Sequence, residues 1–195
     1  MTEAPRWRAG WWSGARRRSS PNFGPRPDGA AVTLLVVHSI SLPPGVFGGN
    51  AIEHLFTNRL DWDTHPYYAT IRGLRVSAHF VIRRDGELVQ FVSCERRAWH
   101  AGASVWRGRE NCNDYSVGVE LEGLEGEVFE AAQYRQLARL GVALARRYPI
   151  ADVAGHEHVA PGRKADPGPG FDWPRLRGAL VEAGVADWGF PDSAT

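Results

Sequence analysis

The run Thr33-Leu34-Leu35-Val36-Val37 constrains this chain more than any other. It shows no apolar–polar alternation, so it suits a strand buried on both faces rather than one half-open to water. A sheet holding such a strand needs cover on both sides, and the remaining elements must supply it. The run ends at His38 and leads into the turn-rich Ser41-Leu42-Pro43-Pro44-Gly45. Active-site groups often emerge at the C-terminal end of a buried strand. Taken alone, His38 is more readily a capping or hydrogen-bonded histidine.

The other elements follow from periodicity. Ile52, Leu55 and Phe56 recur at helical spacing, and a short helical piece over 66–71 tolerates Pro66 in its first turn. Strand-like runs over 79–84 and 87–92 flank Asp85-Gly86, which predicts a hairpin. Residues 98–102 read as a loop. Tyr115 to Glu122 alternates Val117, Val119 and Leu121 against Ser116, Gly118, Glu120 and Glu122, the pattern of a strand. The longest helix is expected over 130–147, with an apolar stripe of Tyr134, Leu137, Leu140, Val142 and Leu144, and Pro149 stops it. A short strand over 150–154 follows, and a last helix starts at Asp172 and ends at Gly184. Strands and helices mixed in this way describe an α/β or α+β layer fold.

At 195 residues the chain is expected to be one domain over 1–195, with an irregular lead-in over 1–30 and a frayed polar tail over 186–195. The tryptophans of the lead-in should pack against the domain. A formal net charge of +1 offers no electrostatic argument for nucleic acid or an anionic membrane. No apolar run reaches the length of a membrane span, and no signal-peptide core opens the sequence. Cys94 and Cys112 imply no disulfide framework. A reduced, cytoplasmic setting and a monomer are expected.

The chemistry gathers in Gly155-His156-Glu157-His158-Val159-Ala160-Pro161-Gly162-Arg163-Lys164-Ala165-Asp166-Pro167-Gly168. Proline and glycine keep most of it from being regular structure, so it reads as an ordered loop presenting side chains. Imidazole and carboxylate are ligands that zinc accepts, and His38 can complete a set with one histidine of this loop and Asp166. His156 and His158 compete for that place; in an extended segment they point to opposite sides. Three protein ligands and one open position are the mark of a catalytic rather than a structural zinc site. His79 reads as a packed core residue, and His54 and His65 as surface residues. Glu120 alone reads as a solvated strand residue, but beside a metal it becomes a general base. Lys164 alone is a surface lysine; beside a zinc it supplies positive charge to an oxyanion.

Four segments, LLVVHSISLPPGVFGGN, LRVSAHFVIRRDGELVQFV, RAWHAGASVWRGRENCNDYSVGVELEG and GHEHVAPGRKADPGPGFDW, resemble the zinc N-acetylmuramoyl-L-alanine amidases, a family that includes T7-type lysozyme and the peptidoglycan recognition proteins. The resemblance runs from about residue 7 to about residue 177 with its spacings intact. It is strongest to the cytoplasmic branch that cleaves 1,6-anhydro-muropeptides during peptidoglycan recycling and so limits β-lactamase induction. It implies a central mixed β-sheet with helices packed on it and a Zn2+ cofactor in a groove on one side. By motif it implies His38, His156 and Asp166 as zinc ligands, Glu120 as catalytic acid/base and Lys164 as the stabilising lysine, with a small muropeptide as substrate. Many relatives carry a tyrosine where this chain has Ala78, and the closer kin that also lack it are thought to rely on the glutamate. Similar enzymes usually carry Asn where this chain has Ser39, a shorter hydrogen-bonding group. Ser39, Arg75, Trp99 and Asn111 fall in segments that line the substrate groove of such enzymes, and Arg75 suits a peptide carboxylate. The alternative is a muropeptide-binding module that does not cut; members of that kind typically lack one ligand.

Overall fold

A computed structural model describes residues 4–191. Six strands build the central sheet: β1 (Arg16–Arg17), β2 (Leu34–Ile40), β3 (Phe80–Ile82), β4 (Leu88–Gln90), β5 (Ser116–Glu122) and β6 (Asp152–Gly155). Their spatial order is β6-β2-β5-β3-β4-β1. The first four in that order run parallel, β4 returns antiparallel to β3 around the Asp85-Gly86 turn, and β1 lies parallel to β4. The sheet is mixed, as expected.

Leu34, Leu35, Val36 and Val37 are all at most 1% exposed, so the central strand is covered on both sides. On one face, Leu35, Val37, Val117, Val119 and Leu121 pack with α3 (Ala131–Ala145) and α5 (Trp173–Glu182). The α3 stripe of Tyr134, Leu137, Leu140 and Leu144 is buried there, while Val142 is only partly buried. On the other face lie α1 (Ala51–Phe56), α2 (Pro66–Thr70), α4 (His156–Val159) and the loop over 98–104. Strand β5 departs from its expected half-open character: all seven residues are buried, because that loop covers its polar face.

The two chain ends are more ordered than their composition suggests. Trp7–Arg8 pairs with Trp11–Trp12, Trp12 sits in the core, and Arg16–Arg17 adds an edge strand. Arg26, which burial pushes down to about 10, donates to the carbonyls of Cys94, Asn113, Asp114 and Ser116 at 2.8–3.1 Å. At the other end the expected fraying is corrected for 188–190. Trp188 is 6% exposed, and Gly189 exchanges backbone hydrogen bonds of 2.8 Å with Ala151 and Val153 beside β6. The apolar indole and an open sheet edge outweigh the polar composition there. Residues 192–195 lie outside the described residues. No helix among the described residues is long and apolar enough to cross a membrane.

Candidate active site

The site forms where parallel strands end. Strands β2 and β5 are in register so that His38 stands beside Glu120, and β6 next to them delivers Gly155 directly into α4. Close packing at this junction needs glycine: a Cβ on Gly155 would stand 2.8 Å from His158 Nδ1 and 2.9 Å from Pro167 Cδ. The N–H of Glu157 donates to the carbonyl of Asp166 at 2.8 Å, which ties His156 to the far end of the loop.

Three donors converge. Asp166 Oδ2 lies 3.2 Å from His38 Nδ1 and 3.1 Å from His156 Nδ1. The two imidazole centroids are 4.3 Å apart, and one donor atom from each of the three residues falls within 4.8 Å of the others. His38 is 1% and His156 4% exposed. Two nitrogens and one carboxylate oxygen, tightly grouped and shielded from water, form a set that could hold a zinc ion with a position left open. Burial first, and the neighbouring His156 next, push His38 down to about 4, so its ring stands neutral and able to ligate. Burial alone would raise Asp166, but its hydrogen bonds to His156 and His38 hold it below the usual carboxylate range.

His158 is not part of this set. Its Nδ1 accepts the N–H of Gly155 at 2.9 Å, and its ring packs edge-on against Trp173. His79 is fully buried, accepting the N–H of Gly118 on Nδ1 and donating from Nε2 to the carbonyl of Arg96. His65 is exposed and caps α2; His54 is half-buried on α1.

Glu120, Lys164, His156 and Asp166 line one cavity of about 360 Å³. Glu120 is 9% exposed and its Oε2 is buried with no hydrogen-bond partner. Burial foremost, then the charge of Asp166, raises its pKa well above the ordinary value, and Lys164 opposes the shift. Of the expected substrate contacts, Ser39 and Trp99 line the same cavity. Arg75 is exposed between Leu74 and Val76, which do line it; Asn111 is exposed at φ 58° ahead of a short 3-10 turn and does not. The cavity also has an apolar wall of Leu42, Leu55, Phe56 and Ile71, and a further histidine, His100, whose ring touches His38; the sequence pattern assigns neither a role. The one signal for His100 was a glycine, Gly118, in the middle of a strand, which marks close approach of another group.

Comparison with known proteins identifies the family. The N-acetylmuramoyl-L-alanine amidase family pattern matches residues 28–169. The 1,6-anhydro-N-acetylmuramyl-L-alanine amidase AmpD of Salmonella typhimurium (strain SL1344) is 57% identical over 174 residues, covering 88% of this chain and 92% of that protein. The AmpD of Escherichia coli (strain K12) is 55% identical over 170 residues, covering 86% and 93%. A crystal structure of a selenomethionine AmpD derivative superposes with a TM-score of 0.86 at 55% identity, over 89% of this chain and 98% of that one. The Escherichia coli amidase AmiD, in complex with anhydro-N-acetylmuramic acid-L-Ala-D-γ-Glu-L-Lys, superposes with a TM-score of 0.57 at 27% identity, over 97% and 68%. The family match and the identities along nearly the whole of two AmpD proteins have one consequence: this chain belongs to the N-acetylmuramoyl-L-alanine amidase family and is an amidase.

Proposed function

We propose that this chain hydrolyses the amide between the lactyl group of 1,6-anhydro-N-acetylmuramic acid and the L-alanine of the stem peptide. Its substrates are then small, soluble muropeptides met in the cytoplasm during peptidoglycan recycling, and their removal limits β-lactamase induction. The observation that carries this reading is Glu120, whose buried Oε2 has no partner, on the wall of the cavity that His156 and Asp166 also line, beside His38.

His38, His156 and Asp166 would hold zinc, which supplies Lewis acidity and a usable hydroxide near neutral pH. Glu120 takes the proton of the attacking water and returns it to the alanine nitrogen as the C–N bond breaks. The raised proton affinity of its buried carboxylate suits both halves of that transfer. The Lys164 ammonium, on the wall of the same cavity, supplies fixed positive charge for the oxyanion developing on the lactyl carbonyl. Ser39 and Trp99 face the sugar and lactyl end. Arg75, exposed at the rim, takes the carboxylate of longer stem peptides.

Mass spectrometry of an anhydro-muropeptide incubated with zinc-loaded protein tests the reading. The expected products are the free anhydro-sugar and a peptide beginning with L-alanine, formed with a higher kcat/KM than from the reducing muropeptide. Saturable binding with the substrate left intact would establish the non-cutting module instead. Equal kcat/KM for the two sugars would leave a generic amidase without the recycling role.

A further inference from the structure

An imidazole that holds a metal through one nitrogen carries its proton on the other, and the acceptor of that proton sets the ring's tautomer and angle. In His38 and His156 the Nδ1 atoms face Asp166, so each Nε2 points away from the cluster. His38 Nε2 meets His100 Nδ1 at 2.9 Å, and His156 Nε2 meets the carbonyl of Ala101 at 3.2 Å. Both outward partners come from one dipeptide.

That dipeptide is braced from behind. The side-chain oxygen of Asn113, a residue 5% exposed, accepts the N–H of His100 at 3.2 Å and that of Ala101 at 2.8 Å. Arg163 donates to the carbonyls of Ala101 and Ala103. The His100 ring lies over Gly118, where an added Cβ would stand 2.5 Å from its Cγ, and its Nε2 is 3.2 Å from Ser116 Oγ. Residues 116, 118 and 120 share one face of β5, so a single strand face supplies the hydroxyl, the space and the carboxylate. In the metal-free protein the Nδ1 protons would face Asp166; with a cation held there instead, the outward protons have a consistent placement. His38 donates from Nε2, His100 accepts on Nδ1, and a neutral His100 then has its one N–H on Nε2, aimed at Ser116 Oγ.

We propose that His100 is a positioning residue for the amidase. It accepts the Nε2 proton of His38, while the Ala101 carbonyl does the same for His156, so the 100–101 dipeptide fixes both Nδ1 lone pairs toward the metal position. This rests on reading His38, His156 and Asp166 as the ligands. No contact of His100 with substrate is required.

The test compares zinc affinity of the full chain and of two variants by competition with a chromophoric chelator. His100→Asn keeps an acceptor oxygen near the place of Nδ1; His100→Leu keeps bulk alone. The leucine variant is expected to bind zinc about 10–100-fold more weakly, with asparagine restoring most of the loss. Melting of the metal-free proteins records folding separately. In 15N-labelled zinc-loaded protein, His38 and His156 should be protonated on Nε2, with a scalar coupling from His38 Nε2 to His100 Nδ1. Equal zinc affinity in the leucine variant, or an unprotonated Nε2 on His38, overturns the proposal. Failure of the unaltered protein to bind zinc overturns the ligand assignment itself, and this proposal with it. If the leucine variant does not fold, the coupling measurement decides alone.

Discussion

Glu120 carries a cost that folding does not recover: its Oε2 is buried and makes no hydrogen bond. A carboxylate in that position binds a proton more readily than one in water, which is what a group that must take and return one proton needs. Glu120→Gln retains the shape and removes the proton acceptor. Turnover is expected to fall about 10²–10⁴-fold, with zinc content unchanged, because Glu120 is not among the convergent donors. Steady-state kinetics with metal analysis checks this, and turnover within a few-fold of the parent would place the base elsewhere. At this scale a histidine ending a buried strand and a Pro/Gly-rich loop with His and Asp drew attention to His38 and Asp166, but local sequence left His156 and His158 competing, and only the family resemblance favoured His156. Glu120 was ambiguous because alternation along β5 records polarity and not what covers it. His100 was the least legible, marked only by Gly118 in the middle of β5. Its role depends on a loop folding back across a glycine, and no local pattern encodes that.

Elements carry the histidine energetics. Burial, ahead of any neighbouring charge, pushes His79 down to about 3 and His38 to about 4, and His100 falls well below its ordinary value. An unfolded imidazole titrates near 6.5. Above about pH 6.5 both states are neutral and the stability is complete. As pH falls below that, only the unfolded chain takes up protons, so stability drops until the folded value is passed. Each such ring contributes a loss of about 1.4 kcal/mol per pH unit in that window. Metal-free protein unfolded by urea between about pH 7.5 and pH 5 should show this slope, and His79→Gln should remove one proton's share of it. An unchanged slope in that variant would mean His79 is protonated in the folded state. The hairpin around Asp85-Gly86 and helix α3 were readable, because turn chemistry and a long apolar stripe are local signals. Strand β1 was not: two exposed arginines show no periodicity, and only the open edge of β4 makes them a strand.

At the scale of the molecule, buried charge joins parts distant in sequence. Glu53 on α1 pairs with Arg16 of β1 at 2.6 Å and with Arg83 of the hairpin at 3.2 Å, and Arg83 reaches Glu122 at the end of β5 at 3.1 Å. Glu122 also accepts the N–H of Gly48 at 2.7 Å, which fastens the long loop after β2. These links, like the burial of Trp188, join residues whose local sequence is polar, so only the assembled fold reveals them. Arg26 is the sharpest case, because it lies ahead of the family pattern's start at residue 28 while its four carbonyl partners all lie within the matched range. Removing residues 1–27 is therefore expected to strand those acceptors at about 1–3 kcal/mol each and to abolish cooperative melting. A shortened protein that melts like the parent would show that water replaces the guanidinium. For anyone trimming such an enzyme for expression or grafting it into a fusion, the unit expected to fold is wider than the stretch the family pattern matches. The cut belongs upstream of the tryptophan hairpin, and a tag placed there leaves the guanidinium in its nest.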